Sequence, residues 1–227
     1  SQKVQVNAKI NQLLGQIAQA LFKSWFVDFE PVKAKMAALE SDGTAEDAER
    51  AAMQAISGKS EAELDTLRTQ NADQYENIAY TAALFPSAMV ESELGEIPEG
   101  WEVGSLSDLA RLNAHSWSKK GMPDPVLYLD LSNVKSGIIE STSLYTSSEA
   151  PSRARRQVMD GDTVIGTVRP GNRSYTLISR PARNLAVSTG FAVLTPKWKQ
   201  YSEFVYLAAT NDQSIAYLAN LADGGAY

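Results

Sequence analysis

Residues 6 to 29, VNAKINQLLGQIAQALFKSWFVDF, decide the architecture of the first part of the chain. Apolar residues recur in this stretch at alternating steps of four and three, which is the spacing of a seam along which helices pair. The seam consists of Val6, Ile10, Leu13, Ile17, Ala20 and Val27, and Ser24 breaks it. The pattern predicts a long N-terminal helix with an apolar face that requires a partner.

A second apolar stripe, Leu14, Leu21, Trp25 and Phe29, widens this face, so we expect the helix to contact more than one surface. The predicted partner interface is Val6, Ile10, Leu13, Ile17, Leu21 and Trp25. The aromatic residues Trp25, Phe26 and Phe29 either dock within the chain itself or bind a partner protein, and we favour the first alternative. Pro31 interrupts the helix, and we expect it to resume at Val32. We assign residues 1 to 38 to this segment.

Residues 39 to 92 are rich in Ala, Glu, Asp and Gln, and Gly43 and Gly58 separate their short helical patterns. This composition predicts an acidic helical insertion whose carboxylates form a solvated surface between two parts of the chain, rather than catalytic groups. The prolines and glycines of FPSAMVESELGEIPEGW, residues 85 to 101, indicate a linker. We place the boundary of the next domain near residue 93.

Residues 93 to 227 change to a period of two. Apolar and β-branched runs predict strands around residues 126–131, 163–168, 175–178 and 186–194. Glycine-containing turns separate several of these runs, and a helical pattern returns over residues 201–221. The predicted fold class is therefore α+β, with a long N-terminal helix for coiled-coil pairing, an acidic helical insertion and a mixed α/β domain.

The net charge of −6 is unevenly distributed. Residues 1 to 100 hold 8 basic and 16 acidic residues, whereas residues 101 to 227 hold 13 basic and 11 acidic residues. Seven arginines lie within residues 150 to 184, against two aspartates. They form either a basic patch that offsets phosphate charge or a set of solvated surface residues.

Composition excludes several classes of chemistry. The chain has no cysteine, which excludes disulfides, thiolate metal sites and thiol nucleophiles. The only histidine, His115, has neither a cysteine nor a second histidine with which to share a metal ion. The start of the chain has no apolar signal-peptide core, and no apolar run approaches the ~20 residues that span a bilayer, so we expect a cytoplasmic location.

Four stretches carry a more specific signal. They are QIAQALFKSWFVDFEPV at residues 16–32, LFPSAMVESELGEIPEGWEVGSLSDLA at 84–110, MDGDTVIGTVRPGNR at 159–173 and STGFAVLTPK at 188–197. Together they resemble the DNA-specificity subunits of type I restriction-modification systems. The resemblance extends along almost the whole chain, and its most specific parts are the aromatic helix end and the GEIPEGWEV segment.

The resemblance implies that the chain recognises a specific double-stranded DNA sequence and directs adenine methylation and restriction by partner subunits. Methyltransferase subunits would use S-adenosylmethionine, restriction subunits would use ATP, and magnesium would likewise be bound only by partners. We therefore expect this chain to be non-catalytic and to have no cofactor. The sequence agrees, since it lacks the Asn-Pro-Pro-aromatic motif of adenine methyltransferases and the Gly-Lys-Ser/Thr phosphate loop. The alternatives are a free-standing DNA-binding regulator and a protein-interaction adaptor without a methyltransferase partner.

The resemblance covers a partial unit, with one conserved helix and one target-recognition domain over residues 93–227. Specificity subunits usually contain two such domains and two antiparallel helices. We therefore expect the exposed seam of the first helix to form a homodimer, because an apolar stripe in water is unfavourable. Two identical domains at a fixed separation would recognise an interrupted palindrome.

Reading of bases requires hydrogen-bonding side chains on loops that enter a groove. Two loops and one cluster are predicted to bind DNA: Ser116, Trp117, Lys119 and Lys120; Arg169, Asn172, Arg173 and Tyr175; and Arg153, Arg155 and Arg156. The last cluster suits phosphates. Trp117 is alternatively a core anchor, and Arg173 is alternatively an ordinary surface residue.

Overall fold

The computed structural model describes residues 2–222 and residue 224. It divides into two compact units. Residues Gln16–Gly104 form one, which we call the helical unit, and the residues from Ser105 onward, grouped with the beginning of the first helix, form the other, the β-rich unit. The target-recognition domain was predicted to begin near residue 93, and its last predicted residues, 223 and 225–227, lie outside the described residues. Residue 1 of the predicted helical segment lies outside them as well.

The helical unit contains the second part of the first helix, four shorter helices and a hairpin. The elements are α1 (Gln2–Phe26), α2 (Glu30–Glu40), α3 (Ala45–Ser57), α4 (Glu61–Gln70), α5 (Ala72–Ala83), β1 (Met89–Ser92) and β2 (Gly95–Pro98). Pro31 lies in the first turn of α2, where its missing N–H has no intrahelical acceptor to lose. The helix was expected to break at this proline and to resume at Val32, but the break covers residues 27–29 and Glu30 already belongs to α2.

Local sequence explains where the helices of the acidic segment begin. Thr44 caps α3 in a reciprocal capping box with Asp47, and Ser60 caps α4 in the same way with Glu63. Backbone and side-chain hydrogen bonds from the capping residues lower the pKa of Asp47 and of Glu63. The prediction that this segment is helical is confirmed.

The acidic segment also contributes to a hydrophobic core, which its composition did not indicate. The buried residues of this core are Val32, Ala52, Met53, Ile56, Leu64, Ala82 and Phe85. The partly buried rings of Trp25, Phe29 and Trp101 pack against it. The Trp25 ring is edge-on to the Phe85 ring at 5.9 Å, and the Phe29 ring is edge-on to the Trp101 ring at the same distance. The favoured alternative, that these aromatic residues dock within the chain, is confirmed for Trp25 and Phe29.

The β-rich unit contains two four-stranded sheets and two C-terminal helices. Its elements are α6 (Leu106–Leu109), β3 (Ala110–Leu112), β4 (Val126–Leu129), β5 (Val134–Lys135), β6 (Ile138–Ile139), β7 (Ser143–Tyr145), β8 (Ala154–Gln157), β9 (Thr163–Gly166), β10 (Tyr175–Leu177), β11 (Leu185–Ser188), β12 (Phe191–Pro196), α7 (Ser202–Thr210) and α8 (Asp212–Ala222). Single 3-10 turns cover Leu131–Asn133, Pro170–Asn172 and Lys199–Tyr201. The α+β fold class is confirmed.

The first sheet has the order β10-β9-β12-β3 and is antiparallel, whereas the second has the order β7-β4-β11-β8 with β11 parallel to β4. Residues of both sheets form the main core, among them Leu129, Val164, Val187 and Phe191. A second cluster, which includes Ile165 and Ala209, joins the first sheet to α7 and α8.

One predicted strand is wrong in an informative way. The apolar run over residues 186–194 forms two strands, β11 and β12, which belong to different sheets. The chain turns at Thr189 and Gly190, and a Cβ atom on Gly190 would lie 2.7 Å from Cδ1 of Leu131. Glycine therefore permits a close approach that makes the turn possible. Within the described residues, no helix is both long enough and apolar enough to span a membrane.

Candidate nucleic-acid interface

The loop that follows β3 lies along β8, where it meets the arginine cluster. The backbone N–H of Trp117 donates to the carbonyl oxygen of Arg155 at 2.7 Å, and that of Gln157 donates to the carbonyl of His115 at 3.2 Å. Ser116 forms an isolated antiparallel bridge with Arg156. Residues almost forty positions apart in sequence are therefore held together by backbone hydrogen bonds.

The turn between β11 and β12 connects this region to the second predicted loop. The N–H of Thr189 donates to the carbonyl of Arg153 at 2.8 Å, and the carbonyl of Gly190 accepts from the N–H of Thr167 at 2.8 Å. Arg153 and the segment leading to Arg169 therefore flank the same turn. We call these three linked segments, residues 116–120, 153–156 and 167–173, the basic rim.

Six predicted DNA-binding side chains of the basic rim are exposed: Ser116, Lys119, Lys120, Arg153, Arg169 and Asn172. Arg155 and Arg156 on β8 are half-buried. No acidic side chain lies within the three segments of the rim. The local excess of positive charge is therefore presented on loops and strand ends, although the whole chain is acidic.

Trp117 and Tyr175 have different surroundings from the other predicted residues. Trp117 is half-buried and packs against the cluster that contains Val126 and Ala154, which corresponds to the alternative of a core anchor. Tyr175 is only 7% exposed and its ring is edge-on to that of Tyr206 at 6.2 Å. Burial leaves little of the Tyr175 side chain available to a DNA groove. Tyr175 instead packs beneath the Pro170–Asn172 turn, against Tyr206.

The turn at Pro170–Asn172 has a strained backbone on both sides. Arg169 and Arg173 have φ angles of 53° and 57°, in the left-handed region that costs a non-glycine residue roughly 1–2 kcal/mol. Pro170 is buried beneath the turn, whereas Asn172 is exposed. Such conformations persist only where surrounding contacts hold them.

Arg173 has a partner in α8. Its Nη2 atom donates to Oδ1 of Asp212 at 2.7 Å, and this hydrogen bond is the main reason that the pKa of Arg173 is raised. The carbonyl of Arg173 accepts from the N–H of Ser136, in the turn between β5 and β6, at 2.8 Å. Arg173 is thus tied to two neighbouring elements, whereas Arg169 and Asn172 are exposed on the turn.

The sequence did not indicate a further element near the rim, the turn that follows β4. The carboxylate of Asp130 accepts from the hydroxyl of Tyr128 at 2.7 Å and from the N–H of Ser132 at 3.1 Å. Burial opposes ionisation of Asp130, but these hydrogen bonds outweigh it and lower its pKa. Burial raises the pKa of Tyr128 to about 12. An aspartate followed two residues later by serine was the available signal, because it is typical of an Asx turn.

The side chain of Leu131, in the same turn, lies beside Gly166 at the end of β9 and Gly190 just before β12. Its Cδ2 atom lies 3.3 Å from the position of a Cβ on Gly166, and its Cδ1 atom leaves no room for one on Gly190. The β9–β12 ladder pairs Phe191 with Gly166, and Leu131 packs beside the two glycines at this end of the ladder. In the described part of the chain, no group of three or more His, Asp or Glu side chains is placed to hold a metal ion.

The predicted partner interface on α1 is largely open. Val6, Ile10, Leu13, Ile17 and Leu21 are between 40% and 57% exposed, although all are large apolar residues. Trp25, the last residue of the predicted set, instead packs against the core of the helical unit. The stripe therefore divides into an exposed section and a section that is used within the chain.

These features describe an α+β chain in which a basic loop surface accompanies a long helix with an exposed apolar face. No family model matches the chain. It is 34% identical over 234 aligned residues to the type I restriction enzyme HindI specificity subunit of Haemophilus influenzae. The alignment covers 98% of this chain and 50% of that protein, so the chain spans about half the length of the curated relative.

Two solved structures are also similar. The HsdS subunit from Thermoanaerobacter tengcongensis is 26% identical, with a TM-score of 0.42 over 47% of this chain and 28% of that one. A chain from a structure of the type I R-M system is 28% identical, with a TM-score of 0.41 over 44% of this chain and 26% of that one. The alignment with the HindI specificity subunit confirms the resemblance indicated by the motifs: over 98% of its length, the chain is similar to about half of a type I specificity subunit.

Proposed function

We propose that this chain recognises specific double-stranded DNA as the specificity component of a type I restriction-modification complex. The observation that carries the proposal is the basic rim, in which three segments distant in sequence are linked by backbone hydrogen bonds and carry exposed cations and an amide. Cations of this kind contact phosphates, whereas Arg169 and Asn172 have the donors and acceptors that pair with guanine and adenine. The match to a specificity subunit along nearly the whole chain supports the same function.

The chain would be non-catalytic in such a complex. Adenine methylation would be performed by methyltransferase subunits with S-adenosylmethionine, and restriction by further subunits with ATP and magnesium. The role of this chain is to place the methyltransferase on its target, which requires only binding energy and orientation. Exposed rim cations and a long helix are sufficient for that role.

The direct test is to reconstitute the chain with its methyltransferase subunit and to map the methylated adenines. We expect methylation confined to one sequence, and loss of that confinement when Arg169 is replaced by alanine. Arg183→Ala is the matched control, because Arg183 is exposed and precedes β11, at the end of that strand away from the Ser188–Gly190 turn. Methylation without sequence preference in the unmodified complex would contradict the proposal.

Salt dependence separates the alternative functions. A free-standing regulator would bind its DNA equally well without the methyltransferase, whereas an adaptor would show weak binding that salt does not change. For the proposed function, affinity for the target falls steeply as salt increases, because phosphate contacts release counterions. An electrophoretic shift series with and without the methyltransferase measures both quantities.

We further propose that the exposed section of α1 pairs with the same section of a second copy. Five large apolar side chains spaced along one face support this, since their burial would contribute about 25 cal/mol per Å². Two identical readers would then recognise two identical half-sites at a fixed separation. Light scattering at micromolar concentration should give a dimer, and Leu13→Glu should give a monomer. Gln12→Glu, which adds the same charge beside the stripe, should leave the dimer intact.

A further inference from the structure

We propose that the ion pair between Arg173 and Asp212 is a latch that positions the Pro170–Asn172 turn for DNA. This inference rests on the proposed function and assigns Arg173 a different role from its neighbours. Arg173 would act through the turn that it holds, and Arg169 and Asn172 would contact the duplex. Arg173 is thus a positioning residue.

The contacts of Arg173 distinguish it from the other residues of the turn. Its guanidinium is engaged with Asp212 at 2.7 Å and also interacts with the hydroxyl of the buried Tyr175. Because some of its N–H donors are engaged with Asp212 and Tyr175, the Arg173 guanidinium has fewer donors left for DNA. Arg169, by contrast, is exposed and has no ion-pair partner among the described residues.

The backbone conformation of the turn also indicates that outside contacts hold it in place. Both residues that flank the turn are in the left-handed region, and only two short-range bonds close the turn itself, from Asn172 N to Arg169 O and from Arg173 N to Pro170 O, each at 2.9 Å. A strained turn requires external contacts to remain in one conformation. The Ser136 N–H supplies one from the β5–β6 side, Asp212 supplies another from α8, and Pro170 is buried beneath the turn.

Removal of the latch should affect the turn and not the stability of the whole fold. The two side chains are 42% and 85% exposed, and an exposed ion pair contributes little to global stability. An effect of its removal should therefore be confined to the turn. This separates a positioning role from a general role in folding.

The decisive variant is Asp212→Asn, because two readings predict opposite signs. Removal of an acidic charge near a DNA-binding surface should strengthen binding through general electrostatics. The latch predicts that target affinity instead falls by about two- to fivefold, the range that an exposed ion pair can supply, while binding to unrelated DNA stays unchanged or improves. Glu203→Gln is the matched control, since Glu203 is an exposed acidic residue in the first turn of α7.

Exchange of the two charges tests the pair itself. The double variant Arg173→Asp with Asp212→Arg should recover target affinity relative to either single variant, because the ion pair is restored with its direction reversed. Arg169→Ala should lower the slope of log affinity against log salt by about 1 if Arg169 contacts phosphate, and Asp212→Asn should leave that slope unchanged. Amide exchange at Asn172 and Arg173 should become faster in Asp212→Asn at an unchanged Tm.

The outcomes separate the latch from the proposed function. If the unmodified protein binds its target and Asp212→Asn binds it equally well or more tightly, the latch is overturned and the proposed function stands. Failure of the charge exchange to recover affinity, together with a smaller salt slope for Arg173→Ala, would show that Arg173 contacts DNA directly. No sequence-specific binding by the unmodified protein overturns both.

Discussion

The core of the helical unit and the basic rim of the β-rich unit use side chains in opposite ways. In the helical unit, aromatic rings and a buried lysine are enclosed by neighbouring helices, so their replacement should change stability. In the basic rim, backbone hydrogen bonds hold the loops in place, and most charged side chains extend from them with few contacts. Their replacement should change DNA binding and leave stability almost unaltered. Stability and recognition are thus assigned to different sets of residues.

The largest effect should come from Trp25→Ala. The Trp25 ring contacts Phe26 and Phe85 and packs against the core of the helical unit, so its removal should lower the free energy of unfolding by about 3 kcal/mol. Denaturant unfolding measures this, with Trp198→Ala as the matched control because Trp198 is 53% exposed. An unchanged Tm with lost methyltransferase binding would show that Trp25 belongs to a partner surface.

A second test of the helical unit concerns its buried cation. Lys35 is 3% exposed, and its Nζ atom donates to Glu49 Oε1 at 2.6 Å and to the Phe85 carbonyl at 2.7 Å. Lys35→Met keeps the aliphatic stem but leaves the carbonyl without a donor, which should cost about 2 kcal/mol of unfolding free energy. Lys33→Met, at an exposed position of the same helix, should change it by less than about 0.5 kcal/mol. Equal effects of the two substitutions would contradict the distinction.

A substitution at Arg153 tests the basic rim, where side chains should affect DNA binding and not stability. Arg153→Ala should weaken DNA binding by roughly 1 kcal/mol for both target and unrelated sequences, as expected for a phosphate contact, and should reduce the salt slope by about 1. The Tm should not change, because Arg153 is exposed and holds the Ser188–Gly190 turn through its backbone carbonyl. A loss of stability without a change in affinity would place Arg153 in the scaffold.

The smallest effect concerns pH. Burial raises the pKa of Asp162 above its ordinary value of 3.8, so this group stabilises the folded state most at low pH, and its contribution is lost as pH rises through the folded pKa. Relative to Asp162→Asn, the unmodified protein should therefore become less stable as pH increases above about 4. Parallel unfolding series at several pH values measure the difference, with Glu140→Gln as the exposed control. A difference that does not vary with pH would contradict the prediction.

Periodicity and composition predicted most of the helical elements. Apolar spacing predicted α1, Pro31 determined the start of the next helix, and the acidic segment proved to be helical. Composition did not indicate that this acidic segment has its own core, because alanine and a few larger apolar residues were enough to form one. In the β-rich unit the run over residues 186–194 was misjudged, since an apolar pattern continues through a turn when both flanking strands are buried.

Sequence predicted the candidate site less completely. The loops and the arginine cluster were found from residue type, but their juxtaposition depends on hydrogen bonds between distant segments, such as that between Thr189 and Arg153. The burial of Tyr175 could not be predicted because it depends on the ring of Tyr206, which belongs to a helix thirty residues further along the chain. Asp130 was overlooked because an isolated aspartate after a strand is common. Tertiary contacts, rather than local pattern, decide which side chains remain exposed.

The close approach of Leu131 to Gly166 and Gly190 has a consequence for the engineering of new target preferences. A Cβ on Gly190 would lie 2.7 Å from Cδ1 of Leu131, so a larger residue at this position requires the leucine side chain to move. The exposed residues Lys119, Lys120 and Asn172 are under no such restriction, whereas Arg169 has a left-handed backbone that disfavours most substitutions. A library that randomises Lys119, Lys120 and Asn172 should retain folded members while altering the bases selected, whereas members that also vary Gly190 should be less stable because the Leu131 side chain must move.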